Sequence, residues 1–206
     1  MKIRNPNTTR QQILDVAELH FGTYGFAGSS LRGIIKDARV NIAAVAYHFG
    51  TKEELFDAVV ERFALPVVSE QMQQLERVEK GDLAGILGAF YEPPLKIIKD
   101  KAKSGQTLAL FLGRMQIEPE PIFSKVDVHF VDCRNRFVNA YRDCLPNASE
   151  ADLQWYFEFM LSLIVSFLTR QEHVRKRYAD PMDWSADEAI QRMIRFCLNG
   201  MRSCVK

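Results

Sequence analysis

Between Ile34 and Leu55 the chain reads IIKDARVNIAAVAYHFGTKEEL, two short helical patterns separated by a tight turn and followed by the start of a third helix. Asn41 stands where it can cap the second pattern, Gly50 stops it, and Thr51 with Glu54 makes the T-x-x-E box that opens the third. A segment that turns this sharply between two short helices reads as a helix-turn-helix. Its second helix, Ile42 to Phe49, is rich in small and aromatic residues, a composition suited to the major groove of duplex DNA.

The remainder of the chain is also helical by pattern, because strand-like alternation is never sustained. A first helix starts at Thr8 or Thr9 and stops at Gly22 to Gly25, and Ser29 or Ser30 caps the next. The helix opened by Thr51 is expected to kink or end at Pro66. Beyond it, helical stretches run from Val67 to Glu79, from Asp82 to Pro93-Pro94, from Thr107 to Ile117, from Ile122 to Leu145, from Ser149 to Arg175 and from Ser185 to Ser203. The expectation is an all-α chain of about nine helices. A basic arm (residues 1–7) leads into a three-helix DNA-binding domain (8–66), followed by a larger helical body (67–206).

A length of 206 residues accommodates a small module and a larger body, and an apolar content of 47% supplies a core. The net charge of +1 gives no global basic field, so affinity for nucleic acid has to be local. Lys2, Arg4 and Arg10 crowd the first ten residues without an acid, a short arm that can meet phosphate. Cys133, Cys144, Cys197 and Cys204 form no CxxC pair, which argues against a zinc module and for free thiols. The polar N-terminus lacks the apolar core of a signal peptide. The apolar run Phe157–Leu168 is short and interrupted by Glu158, Ser162 and Ser166. A cytoplasmic protein with no membrane partner is expected.

The chemistry of the helix-turn-helix follows from its residues. Ala43, Ala44 and Ala46 let a helix approach base edges closely, and an alanine methyl can touch a thymine methyl. Tyr47 and His48 can donate to bases or phosphate, while Lys52 lies at the start of a helix, where an anion is favoured. Ser29, Ser30 and Arg32 stand at the entry of the preceding helix and could fix a second phosphate. Asn41 aside, residues 42–46 carry no donor for a base edge, so reading is expected to rest on apolar contacts, Tyr47 and DNA shape.

The run Tyr47-His48-Phe49-Gly50-Thr51-Lys52-Glu53-Glu54-Leu55 closely resembles the signature of TetR-type transcriptional repressors. So do Arg10, Ile13, Leu14, Ala17, Phe21 and Gly25, and the segment Gly28-Ser29-Ser30-Leu31-Arg32-Gly33-Ile34. The resemblance covers residues 8–65 and implies that Arg10, Ser29, Ser30, Arg32, Asn41, Ala43, Ala44, Tyr47, His48 and Lys52 meet a double-stranded operator. One departure is Arg39, where the family's turn usually carries glycine. Holding an arginine in the left-handed conformation costs about 1 kcal/mol or more.

The resemblance further implies a homodimer joined through the two C-terminal helices, reading a palindrome and released by a small-molecule effector. Tyr156, Met160, Ile164, Phe167, Ile190, Met193, Ile194 and Cys197 are the expected interface. Phe111, Met115, Phe130, Phe137 and Phe159 are the expected pocket walls, with Arg114 as anchor for an amphipathic ligand. An enzyme is the rival class, since His129 and Cys133 lie four apart and could form a dyad or half of a metal site. No third ligand, Glu-x-x-His motif, phosphate loop or nucleophile elbow accompanies them, so no catalytic residue, metal or cofactor is expected. A helical interaction module without DNA would leave Tyr47, His48 and Lys52 unexplained.

Overall fold

The computed structural model describes residues 6–100, 103–177 and 185–203. Among these residues there are ten helices and no strand: α1 (Pro6–Gly28), α2 (Leu31–Asp37), α3 (Ile42–His48), α4 (Lys52–Glu76), α5 (Leu83–Asp100), α6 (Lys103–Met115), α7 (Ile122–Asp127), α8 (Val131–Cys144), α9 (Glu150–Arg177) and α10 (Ala186–Ser203). Lys2, Arg4 and Cys204 lie outside the described residues. The first helix starts earlier than its threonines suggest, at Pro6, whose missing N–H is harmless in a first turn.

The chain divides into two compact units, one of Met1–Leu65 with Gln106–His129, the other of Pro66–Gly105 with Phe130–Lys206. The first unit is therefore larger than residues 8–66 alone, because most of α6 and all of α7 pack with the helix-turn-helix. The reason is apolar: Phe56 meets Phe21 and Phe26 edge-on with ring centroids 5.1 Å apart in each case, and Phe111 of α6 closes the cluster at 6.2 Å from Phe56. Around it Ile13, Leu14, Ala17, Ile34, Val45, Leu55 and Val59 are buried. Arg62 of α4 ties down α1 by reaching Asp15 at 2.6 Å and the buried Glu18.

The second unit packs α5, α8, α9 and α10. Tyr91 and Tyr141 are fully buried, so each hydroxyl needs a partner. Tyr91 donates to the Met160 carbonyl at 3.3 Å and meets Cys197 Sγ at 3.3 Å, and Tyr141 donates to Met160 Sδ at 2.8 Å.

Three expected boundaries fail. The helix opened at Thr51 does not end at Pro66 but continues to Glu76, and α5 runs through Pro93 and Pro94. A proline within a helix deprives the carbonyl four residues back of its donor. For Pro94 that carbonyl belongs to Phe90, and the buried Gln71 supplies the missing hydrogen bond, Nε2 to O at 2.8 Å. The single helix expected over Ile122–Leu145 is two, α7 and α8. Ile122 and Val126 are buried in the first unit and Cys133 and Phe137 in the second, so packing overrides an unbroken local pattern.

Candidate nucleic-acid interface

The interface starts from the way α2 and α3 are stopped and started. Ser30 Oγ accepts from the Gly33 N–H at 3.1 Å and caps α2. At its other end the Arg39 N–H donates to the Lys36 carbonyl (3.1 Å) and the Val40 N–H to the Ile35 carbonyl (3.2 Å), the paired bonds of a Schellman stop. Such a stop needs a left-handed residue, and Arg39 takes it with φ 51°. The cost anticipated from the sequence is thus borne by the turn. Gln12 Nε2 donates to the Ala38 carbonyl at 2.8 Å, fixing the same turn to α1.

Asn41 Oδ1 accepts from the Ala44 N–H at 2.8 Å and starts α3. Thr51 and Glu54 exchange two bonds, Thr51 N–H to Glu54 Oε2 at 2.7 Å and Glu54 N–H to Thr51 Oγ1 at 3.2 Å. These bonds hold the Glu54 carboxyl below its usual range. With both ends fixed, α3 buries Val45 and leans on Phe49, while Ile42, Ala43, Ala46 and Tyr47 face outward. Tyr47 is 82% exposed and Ile42 71%. Ala44 and His48 are half-buried, so the exposed face runs one position earlier than the alanines alone suggested. Ile42 stands on this exposed face although the sequence expectation did not name it. Its signal was an apolar side chain directly after the cap that fits no inward stripe.

The cations flank this face on aromatic supports. The Arg10 guanidinium lies over the Phe49 ring at 5.2 Å, and Lys52 Nζ over the Phe26 ring at 4.2 Å. Each support fixes the stem and leaves donors for phosphate. Ser30 and Arg32, at the start of α2, are exposed. Ser29 is not available: it is buried, and its hydroxyl donates to the Gly25 carbonyl at 2.7 Å. It holds the chain between α1 and α2 instead of reaching a phosphate.

The expected pocket residues fall in both units. Phe111, Arg114 and Met115 belong to the first unit, and Phe130, Phe137 and Phe159 to the second. Phe137 is buried in its own unit's core, with its ring 5.3 Å from that of Phe90, whereas Phe159 is 57% exposed and stacked on Trp155 at 5.5 Å. Arg114 pairs with Glu118 at 3.0 Å. That carboxylate, 2% exposed, also accepts from the Phe26 N–H at 3.0 Å. The pair sits against Gly25, whose φ of 72° favours glycine and where a Cβ would come within 2.6 Å of Glu118 Oε1. In the second unit an open cleft of about 570 Å³ is lined by the charged Arg77, Glu79, Asp82 and Glu92 and by the apolar Val78, Ala89 and Ile194 among others, and none of the expected pocket residues lines it.

The expected dimer residues face inward. Tyr156, Met160, Ile164, Ile190, Met193, Ile194 and Cys197 are buried within the chain, and Phe167 is half-buried. The apolar side chains left outside on the same helices are Trp155, Phe159 and Phe196, at 60%, 57% and 70% exposure. Over Glu150–Arg170, α9 is long and apolar enough to cross a membrane by length and composition, with 33% of it buried. A core helix with one uncovered apolar face passes the same test. His129 and Cys133, expected on one helix, are parted: His129 precedes α8, and the buried Cys133 thiol donates to Gln71 Oε1 at 3.5 Å. Among the described residues no group of three His, Cys, Asp or Glu could hold a metal ion.

Comparison with known proteins gives matches at both ends of the chain. A model of the tetR family of bacterial regulatory proteins matches residues 13–59, and a model of the tetracyclin repressor-like C-terminal domain matches residues 88–200. The HTH-type transcriptional repressor SCO4008 of Streptomyces coelicolor is 34% identical over 62 residues, which are 30% of this chain and 32% of that protein. The match thus spans about a third of that repressor's length. The HTH-type transcriptional dual regulator CecR of Shigella flexneri is 25% identical over 184 residues, 82% of this chain and 79% of its own. Among solved structures, the fatty acid degradation regulator FadR from Bacillus halodurans superposes with a TM-score of 0.70 at 14% identity, covering 98% of this chain and 99% of that one. A SmeT–triclosan complex superposes with a TM-score of 0.64 at 20% identity, covering 97% and 92%. Likeness at such identities establishes the fold.

Proposed function

The chain belongs to the tetR family of bacterial regulatory proteins, a family of DNA-binding transcriptional regulators, and from that premise we propose that it is a cytoplasmic, homodimeric repressor of a palindromic operator. The observation that carries the reading is α3: capped at both ends, held by Val45 and Phe49, and presenting Ile42, Ala43, Ala46 and Tyr47 to solvent. Arg10, Ser30, Arg32 and Lys52 beside it serve phosphates, and Asn41 and His48 border it. Two such helices about 34–36 Å apart would read two half-sites on one side of a duplex.

Release by a small molecule completes the proposal. An effector acts only through its differential affinity for two states, about 1–3 kcal/mol of coupling in typical cases. Two helices run unbroken from one unit into the other: α4, which begins at Lys52, and α6, which carries Phe111. Either gives an effector in the second unit a covalent lever on the first. The relatives named for fatty acid degradation and for triclosan make apolar small molecules the first to screen. No catalytic residue, metal or cofactor enters this reading.

Selection of bound duplexes from a random pool, followed by affinity titration against salt, tests it. A palindromic consensus and a steep fall in affinity with salt are expected. Lys52→Ala should weaken all duplexes alike and reduce the salt slope by about one, whereas Tyr47→Ala should change which sequences are preferred. Recovery of no enriched sequence would overturn the proposal.

A further inference from the structure

We infer that α3 reads the 5-methyl group of thymine through Ile42, so that each operator half-site contains a thymine whose methyl, not its hydrogen-bonding edge, is recognised. The inference rests on the DNA-binding reading and narrows its substrate. A single exposed apolar residue is ordinary. Here the whole outward face is at issue: of Ile42, Ala43, Ala46 and Tyr47, three bear only hydrocarbon, and Ile42 is 71% exposed. The neighbouring amide fills the gap only in part, because Asn41 Oδ1 is spent on the Ala44 N–H, which leaves its Nδ2 donors but not the donor–acceptor pair that adenine takes. Guanine and adenine present acceptors and donors in the major groove that hydrocarbon would strip of water without replacing. Thymine alone presents a methyl group, and contact with it removes apolar surface from water on both sides. A β-branched side chain in a helix has essentially one χ1 rotamer, so Ile42 meets the groove already ordered.

The test uses the full-length protein and a duplex recovered from the random pool, with thymines replaced one at a time by deoxyuridine, which lacks only the methyl. At one or two positions per half-site the wild-type should lose about three- to fourfold in affinity, the worth of one buried methyl. In Ile42→Ala that loss should disappear at the same position and persist elsewhere, while Ile42→Val should restore part of it. Because Ile42 is so exposed, both variants should melt with the wild-type, and the comparison is then free of folding defects. Indifference of the wild-type to every uracil, or an equal loss in Ile42→Ala, overturns this inference alone. Failure to select any duplex overturns the DNA-binding reading beneath it.

Discussion

At the scale of single residues, two positions bear local costs that mutation can measure. Arg39 occupies the left-handed position of the turn before α3. Replacing it by glycine removes about 1–2 kcal/mol of steric cost and adds about 0.4–1 kcal/mol through the freer unfolded chain. Arg39→Gly should therefore raise the urea midpoint slightly, with an unchanged slope. A fall would mean that the arginine side chain contributes more than its backbone costs. Glu118 is the opposite case, a nearly dry carboxylate that satisfies both the Phe26 N–H and Arg114. Glu118→Ala leaves a part-buried donor and a half-solvated guanidinium without their acceptor. A loss of about 2–3 kcal/mol is expected in denaturant titration, and roughly half that for Glu118→Gln, which keeps an acceptor for Phe26. Arg114, expected from the sequence as a ligand anchor, also has a partner four residues on in its own chain. The i, i+4 spacing was the available signal.

At the scale of elements, α5 shows how a helix survives two prolines. Gln71 Nε2 supplies the Phe90 carbonyl with the donor that Pro94 cannot offer, and Gln71 Oε1 accepts the Cys133 thiol. Gln71→Leu should cost about 1–3 kcal/mol by leaving that carbonyl unsatisfied. Pro94→Ala restores an N–H to the helix, so adding it to Gln71→Leu should recover part of the loss, which a double-mutant cycle in urea would read. Burial also pushes the Cys133 thiol from its usual 9 up to about 11. A raised thiol pKa leaves stability intact below pH 9 and erodes it as pH climbs from 9 towards 11, because the unfolded chain then loses the proton first. Melting temperature should be less sensitive over that window in Cys133→Ala than in wild-type. The caps were legible in the sequence because they are local: Ser30, Asn41, the Thr51–Glu54 box, Ser149 with Asp152 and Ser185 with Glu188 all make the bonds their spacing implies. The boundaries at Pro66, Pro94 and residues 128–130 were not, since distant packing decides them. Nothing near Pro94 in the chain announces a glutamine from α4.

For the whole molecule the question is what covers the second unit's outer face. In α9, Leu153, Tyr156, Phe157, Met160 and Ile164 turn inward, while Trp155, Phe159, Ser162 and Ser166 turn out. A helix apolar on nearly every side does not disclose from sequence which stripe its own chain uses, so the inner stripe was read as the interface. The uncovered rings are large: Trp155 and Phe159 stacked on one helix, and Phe196 at 70% exposure on α10. Uncovered aromatic surface on α9 and on α10 is of the kind used for association, and the homodimer proposed above would give it an occupant, a second copy of the same two helices. Sedimentation of the wild-type should then give twice the chain mass. Trp155→Glu with Phe159→Glu should give a monomer whose helical circular dichroism and melting are little changed, because neither ring belongs to the core. Its affinity for a full palindrome should fall about 100-fold or more, towards that for a single half-site, since two recognition helices would no longer bind as one ligand. If the doubly substituted protein still sediments as a dimer, the contact lies on another face. If it is monomeric yet binds the palindrome with wild-type affinity, one α3 suffices and the symmetric reading of the operator fails.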